Sequence, residues 1–174
     1  EHVDLGLDIR YRIGLICGGV LTCSAIDYLC RKAHRLDTAS EFTFRDKKRT
    51  GFPGDVTVRD DCGNVIVLPR SERMVLKPIL TPRRCLLCFD KMNVFSDLTV
   101  GDPWGLSETK AENGESVVIV RTEAGASLVA RGRERHSLSL RDVSCETVLS
   151  GQKIEKHRMQ WEAYCILGEE SSLP

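Results

Sequence analysis

Cys85 and Cys88, separated by two residues, put two soft donors on one tight turn. Two thiolates so placed can face the same metal, which suits an iron–sulfur cluster or zinc and suits hard cations poorly. One pair is half a site, and its spacing leaves zinc and iron–sulfur equally open. A third thiol, Cys17, ends a β-branched and aromatic run over residues 11–16 and precedes Gly18-Gly19. A buried strand there delivers Cys17 into a loop, a good position for a ligand. The second candidate site is the turn Gly101-Asp102-Pro103-Trp104-Gly105. Its glycines allow positive φ and close backbone approach while Pro103 fixes φ, so main-chain N–H groups can press against a ligand and Trp104 can offer a flat face. The competing account makes Trp104 a plug at the edge of the core.

The elements that must position these residues are readable from periodicity. Residues 22–33 carry Ile26, Leu29, Cys30 and Ala33 at spacings of three and four, a helix with one packed stripe on which Cys23 and Cys30 are expected as core thiols. Residues 41–45 alternate as a strand. Residues 56–59 and 65–68 pair as a hairpin through Asp60-Asp61-Cys62-Gly63-Asn64, with Cys62 incidental in the turn. Residues 71–77 form a helical turn that stops before Pro78. Beyond the cysteine pair, residues 97–100 are a strand and 107–115 a polar loop. Residues 116–122 are the most strongly β-biased segment, followed by a helix over 126–135. An edge strand over 138–142, a helix capped by Ser144 over 145–149 and a polar helix over 153–164 complete the reading. Strands in the middle and helices at the flanks favour α+β, an irregular α/β sandwich with a mixed sheet, over a doubly wound sheet.

Composition narrows the function. With 174 residues, 41% hydrophobic and 29% charged, the chain is an ordinary globular one, read as a single domain over 1–174. Its 25 basic and 25 acidic residues cancel, so no whole-chain field favours nucleic acid or an anionic membrane. No apolar run approaches the ~18 residues needed for a membrane span, and the first residues lack the features of a signal peptide. The expectation is a cytoplasmic protein whose eight cysteines are metal ligands and buried thiols rather than a disulfide framework. The missing initiator Met points to a fragment. Neither G-x-G-x-x-G after a strand nor a phosphate-loop motif is present. His34, His136 and His157 lie in polar, helix-end contexts without the pairing that hydrolysis or a two-histidine metal site would need.

Taken in order, Ile13-Gly14-Leu15-Ile16-Cys17, then Cys85-x-x-Cys88-x-Asp90, then Ser96-Asp97-Leu98-Thr99-Val100-Gly101-Asp102-Pro103-Trp104-Gly105, then Gly114-x-Ser116-x-x-Ile119-Val120-Arg121-Thr122-Glu123-x-Gly125 resemble the C-terminal part of the coenzyme F420 hydrogenase/dehydrogenase beta subunit family. The resemblance runs from Tyr11 to about Tyr164. It implies an oxidoreductase, an iron–sulfur flavoprotein passing electrons between reduced coenzyme F420, FAD and one 4Fe-4S cluster, with hydrogenase or formate dehydrogenase subunits as partners. Carried over by motif, Cys17, Cys85 and Cys88 are three cluster ligands at a strand end and a Cys-x-x-Cys turn. The fourth ligand of the family lies in a Pro-Cys-Gln segment that this sequence lacks, as it lacks the N-terminal flavin-binding half, so the isolated fragment is expected to be inactive. Gly101, Asp102, Trp104, Gly105, Ser116, Arg121 and Thr122 are expected to lie against flavin or coenzyme. Arg121 would hold a phosphate as a bidentate donor, with a structural salt bridge as the alternative. Lys47, Lys48, Arg49, Arg83 and Arg84 would meet an acidic coenzyme tail or be simply solvated. No side chain is assigned a catalytic role, because hydride and electron transfer belong to the cofactors. The alternative function is a zinc-stabilised or degenerate, non-catalytic interaction domain.

Overall fold

In the computed structural model, which describes residues 9–106 and 114–170, the elements run β1 (Ile13–Leu15), α1 (Cys23–Lys32), β2 (Ala39–Asp46), α2 (Lys47–Thr50), β3 (Asp55–Asp60), β4 (Val65–Leu68), α3 (Arg70–Met74), α4 (Lys77–Leu80), α5 (Arg83–Leu86), β5 (Leu98–Gly101), β6 (Val117–Val120), α6 (Glu123–Glu134), α7 (Cys145–Gly151) and α8 (Ile154–Glu170). They divide into two compact units, Gly19–Leu87 and a discontinuous one made of Glu1–Gly18 and Cys88–Pro174. Along the chain the first is inserted between β1 and β5. The fold class is α+β, with one mixed sheet, one antiparallel sheet and flanking helices.

In the inserted unit, β2, β3 and β4 form an antiparallel sheet with β3 central. The alternation of β3 buries Val56 and Val58 completely, Val56 in a cluster with Ala25 and Leu29 of α1 and Val58 in one with Cys30 and the capping residue Ala33. The expected helical stripe is therefore the core of this unit. Burial in that apolar setting pushes the Cys30 thiol pKa up. Cys23 departs from the expectation: it is exposed, because it opens the helix two residues ahead of Ala25, where burial begins. The hairpin pairs Val56 with Leu68 and Arg59 with Val65. Its turn is locked by the buried Asp60, whose carboxylate accepts from Asn64 N–H (2.8 Å), Asn64 Nδ2 (3.0 Å) and Arg35 Nε (3.0 Å). Pro78 does not end the helical run as expected. It sits in the first turn of α4, where its missing N–H removes no helical bond.

The discontinuous unit holds the mixed sheet β1-β5-β6, with β1 parallel and β6 antiparallel to the central β5. The run over residues 11–16 is a strand here, but not a buried one: Ile13 is 58% and Leu15 67% exposed. As the edge strand it presents these two side chains on an open face. The intervening Gly14 meets the covered side, where a Cβ would lie 2.5 Å from that of Asn93. After β6 the chain enters α6 at Glu123, three residues earlier than expected. Thr122 Oγ1 accepts from Gly125 N–H (3.2 Å), and the glycine lets the helix start against the sheet, since a Cβ there would stand 2.4 Å from Asp97 O. Residues 138–142 form no strand. Ser144 caps α7 through Thr147 N–H (3.1 Å) and α8 follows, both as expected. Of the expected polar loop, residues 107–113 lie outside the described residues.

Candidate functional site

The segment from Cys88 to Ser96 is tied to the mixed sheet by both backbone and side chains. Cys17 N–H donates to Lys91 O (3.0 Å), and Asn93 Nδ2 donates to Leu15 O (2.8 Å). From the other edge, Arg121 leaves β6 and turns its guanidinium onto the same segment. Nη2 donates to Met92 O (2.8 Å) and Nη1 to Thr99 Oγ1. Thr99 is fully buried, and its hydroxyl also reaches Met92 O (3.0 Å) and Ser96 Oγ (2.9 Å). The partners of Arg121 are thus a carbonyl and a hydroxyl of its own unit rather than a carboxylate.

Just before the first residue of β5 stands Asp97, with a side chain only 8% exposed. Its Oδ2 accepts from the backbone N–H of Arg12 (2.8 Å) and its Oδ1 from Thr122 Oγ1 (2.8 Å), while its own N–H and C=O pair with Arg12 O (2.8 Å) and Arg121 N–H (3.0 Å). One residue joins the entry to β1, the start of β5 and the cap of α6. The Arg12 N–H first, then the Thr122 hydroxyl, hold its carboxyl pKa below the usual value.

Cys17 and Cys88 lie exposed in the discontinuous unit, within one segment's reach of each other through the Cys17–Lys91 bond. Cys85 lies half-buried on α5, and the boundary between the units falls between it and Cys88. All the cysteines are free thiols. Among the described residues no three His, Cys, Asp or Glu side chains gather into a group able to hold a metal ion. The donor chemistry of the three thiols suits a cluster.

The Gly101–Gly105 turn makes its close approaches to the chain itself. A Cβ on Gly101 would meet Ile16 at 2.7 Å. Gly105, at φ +84°, lies so near α7 that a Cβ would be 2.7 Å from Gly151 Cα, and one on Gly151 would be 1.8 Å from Trp104 O. Gln152, buried just past α7, donates from Nε2 to Asp102 O (2.7 Å). Pro103 is buried and Trp104 half-buried, whereas Ser116 is exposed ahead of β6.

The same C-terminal helices brace the cysteine segment. Lys91 Nζ donates to Gln152 O. His157 Nε2 donates to Cys88 O (2.8 Å), which places its proton on Nε2, and the Trp161 ring meets that of Phe89 edge-on at 6.1 Å. Sequence reasoning missed Gln152, His157 and Asp97 as organising residues. The spacing His157–Trp161 on one helical face was the visible signal, but nothing in the sequence says what that face covers. Lys47 packs over Phe52 and Arg49 pairs with Asp46 (3.4 Å), both within the inserted unit.

A mixed sheet with an inserted antiparallel unit, and a cysteine segment strapped across the sheet, define the module. The chain belongs to the family described as the C terminus of the coenzyme F420 hydrogenase/dehydrogenase beta subunit, whose model matches residues 1–146. No curated protein gives a significant match. Among solved structures, the chain is similar to one in the F420-reducing NiFe hydrogenase complex from Methanosarcina barkeri, studied as a xenon derivative, with a TM-score of 0.60 and 14% identity. That match covers 97% of this chain and 53% of the other, so the chain spans about half the length of this relative. At that identity the likeness is one of fold. No helix of the described residues is long and apolar enough to cross a membrane.

Proposed function

We propose that the chain is the C-terminal module of an electron-transfer subunit in an oxidoreductase of the coenzyme F420 hydrogenase/dehydrogenase type. The observation that carries this reading is family membership over residues 1–146, with the first, third and fourth of the ordered motifs on the mixed sheet and its connections. The finer reading adds FAD, a 4Fe-4S cluster with Cys17, Cys85 and Cys88 as thiolate donors, coenzyme F420 as electron donor or acceptor, other oxidoreductase subunits as partners and a cytoplasmic location. Bound, such cofactors supply the hydride and single-electron chemistry, and the protein's task is to hold and orient them. Gly101, Asp102, Trp104, Gly105, Ser116, Arg121 and Thr122 are the proposed flavin or coenzyme contacts. For Arg121 and Gly105 that role competes with the internal contacts described above.

A second reading leaves the iron–sulfur chemistry out. It makes the chain a zinc-stabilised or redox-silent module that docks a partner subunit. Anaerobic purification of the intact protein separates the two. The first expects a brown protein with broad absorption near ~400 nm and about four irons per chain, lost in Cys85→Ser and Cys88→Ser and kept in Cys30→Ala. A colourless protein with stoichiometric zinc, or with no metal, establishes the second.

A further inference from the structure

Tyr11, just ahead of β1, has two guanidinium groups close to its ring. Arg10 Cζ stands 5.6 Å from its ring centroid and Arg131 Cζ, from α6, stands 5.8 Å away. Arg131 Nη2 also donates to the Tyr11 hydroxyl oxygen. Among the described residues no carboxylate forms an ion pair with either arginine, although Arg12 next door is paired with Asp97. Glu134, in the last turn of α6, is joined to neither.

Fixing two arginine side chains forfeits much rotamer entropy, and an exposed cation–π contact returns only about 0.5–1 kcal/mol. The arrangement is not accounted for by its internal contacts alone. Each guanidinium carries five N–H donors and no acceptor, so the hydrogen bonding of Arg131 and Arg10 to the Tyr11 hydroxyl leaves donors to spare on both forks. The Tyr11 oxygen, having accepted from Arg131, keeps its own proton to give. Three residues from two distant parts of the chain thus present donors alone, with two positive charges beside them. The field is felt at the phenol, whose pKa is lowered by the Arg131 hydrogen bond first and by the charge of Arg10.

We propose that Arg10, Tyr11 and Arg131 form a binding site for a phosphate group carried by a small molecule, the two guanidinium forks and the phenolic hydroxyl each donating to a phosphate oxygen. A tetrahedral dianion offers three acceptor oxygens to three donor groups and neutralises both charges, which a planar monoanion does not. The site does not rest on the oxidoreductase reading and stands or falls separately from it.

The test is a titration of the full chain with inorganic phosphate, with sulfate and acetate as parallel probes, at ionic strength held constant with chloride. The readout is the side-chain Nε–H resonances of the arginines. Phosphate is expected to give a saturable shift at Arg10 and Arg131, sulfate a comparable one and acetate a much weaker one. Arg131→Gln and Arg10→Gln should each weaken phosphate about tenfold, the loss expected for one charge-assisted hydrogen bond, and Tyr11→Phe about threefold. Arg59→Gln, whose arginine pairs with Glu41 in the other unit, should leave binding unchanged. If Arg131→Gln fails to fold, Arg10→Gln decides, since Arg10 is exposed and lies outside every strand and helix. No saturable shift, equal binding in Arg10→Gln, or acetate binding as tightly as phosphate overturns the proposal.

Discussion

Asp97 carries the most structural information of any single residue in the mixed-sheet unit. Its pKa is depressed by donors from Arg12 and Thr122, so the stability it contributes is fully present above the unfolded carboxylate value, about 3.9, and is lost as pH falls through the lower folded value. Asp97→Asn should lower the melting midpoint at neutral pH and flatten the acid side of the stability profile. Melts between pH 2 and pH 7 check this, and an unchanged acid slope would count against it. Trp104 poses a different question at the same scale, because Pro103 beside it is buried and its own carbonyl abuts Gly151. As a core plug, Trp104→Ala should cost roughly 3 kcal/mol or more. As a cofactor contact it should leave the melting midpoint nearly unchanged and weaken flavin binding. Denaturation and flavin titration of the intact protein distinguish the two.

Helices α7 and α8 extend past the residues matched by the family model, yet they brace both the cysteine segment and the Gly101–Gly105 turn. A Gly151→Ala side chain would have to displace the Trp104 carbonyl, so it should destabilise by about 1–3 kcal/mol. Hydrogen exchange should speed up in residues 101–106, and faster exchange confined to α1 would contradict the assignment. In the inserted unit, Leu29→Ala removes a fully buried side chain and should cost about 2–5 kcal/mol by chemical denaturation. Elements of this kind were legible because local signals agreed: the α1 stripe, the Asp60–Asn64 turn and the Ser144 cap each act within a few residues. Residues 138–142 alternate like a strand but join neither sheet of the described residues, and pairing is not a local property. The same limit applies to the site. The motifs and their order were readable, whereas Arg121 facing Met92 and His157 facing Cys88 depend on contacts 29 and 69 residues apart.

At the scale of the molecule, 25 basic and 25 acidic residues and a pI near 7.1 leave little mutual repulsion between copies at neutral pH. Solubility should pass through a minimum near pH 7 and rise on either side, as turbidity at fixed concentration would record. The inserted unit has a consequence for how the chain reaches this structure. Arg12 and Asp97, at the mouth of the parallel β1–β5 pair, are 85 residues apart, and closing so long a loop from an unfolded chain is entropically costly and slow. Folding of the insert shortens that loop. Thr22 N–H bonds to Leu80 O (2.9 Å), and a Cβ on Gly19 would touch Cys85 Cβ at 3.6 Å, so the finished unit draws its two ends together. The hairpin of β3 and β4 and its packing on α1 should therefore acquire amide protection first in pulse-labelled refolding, with the short edge strand β1 docking onto β5 last.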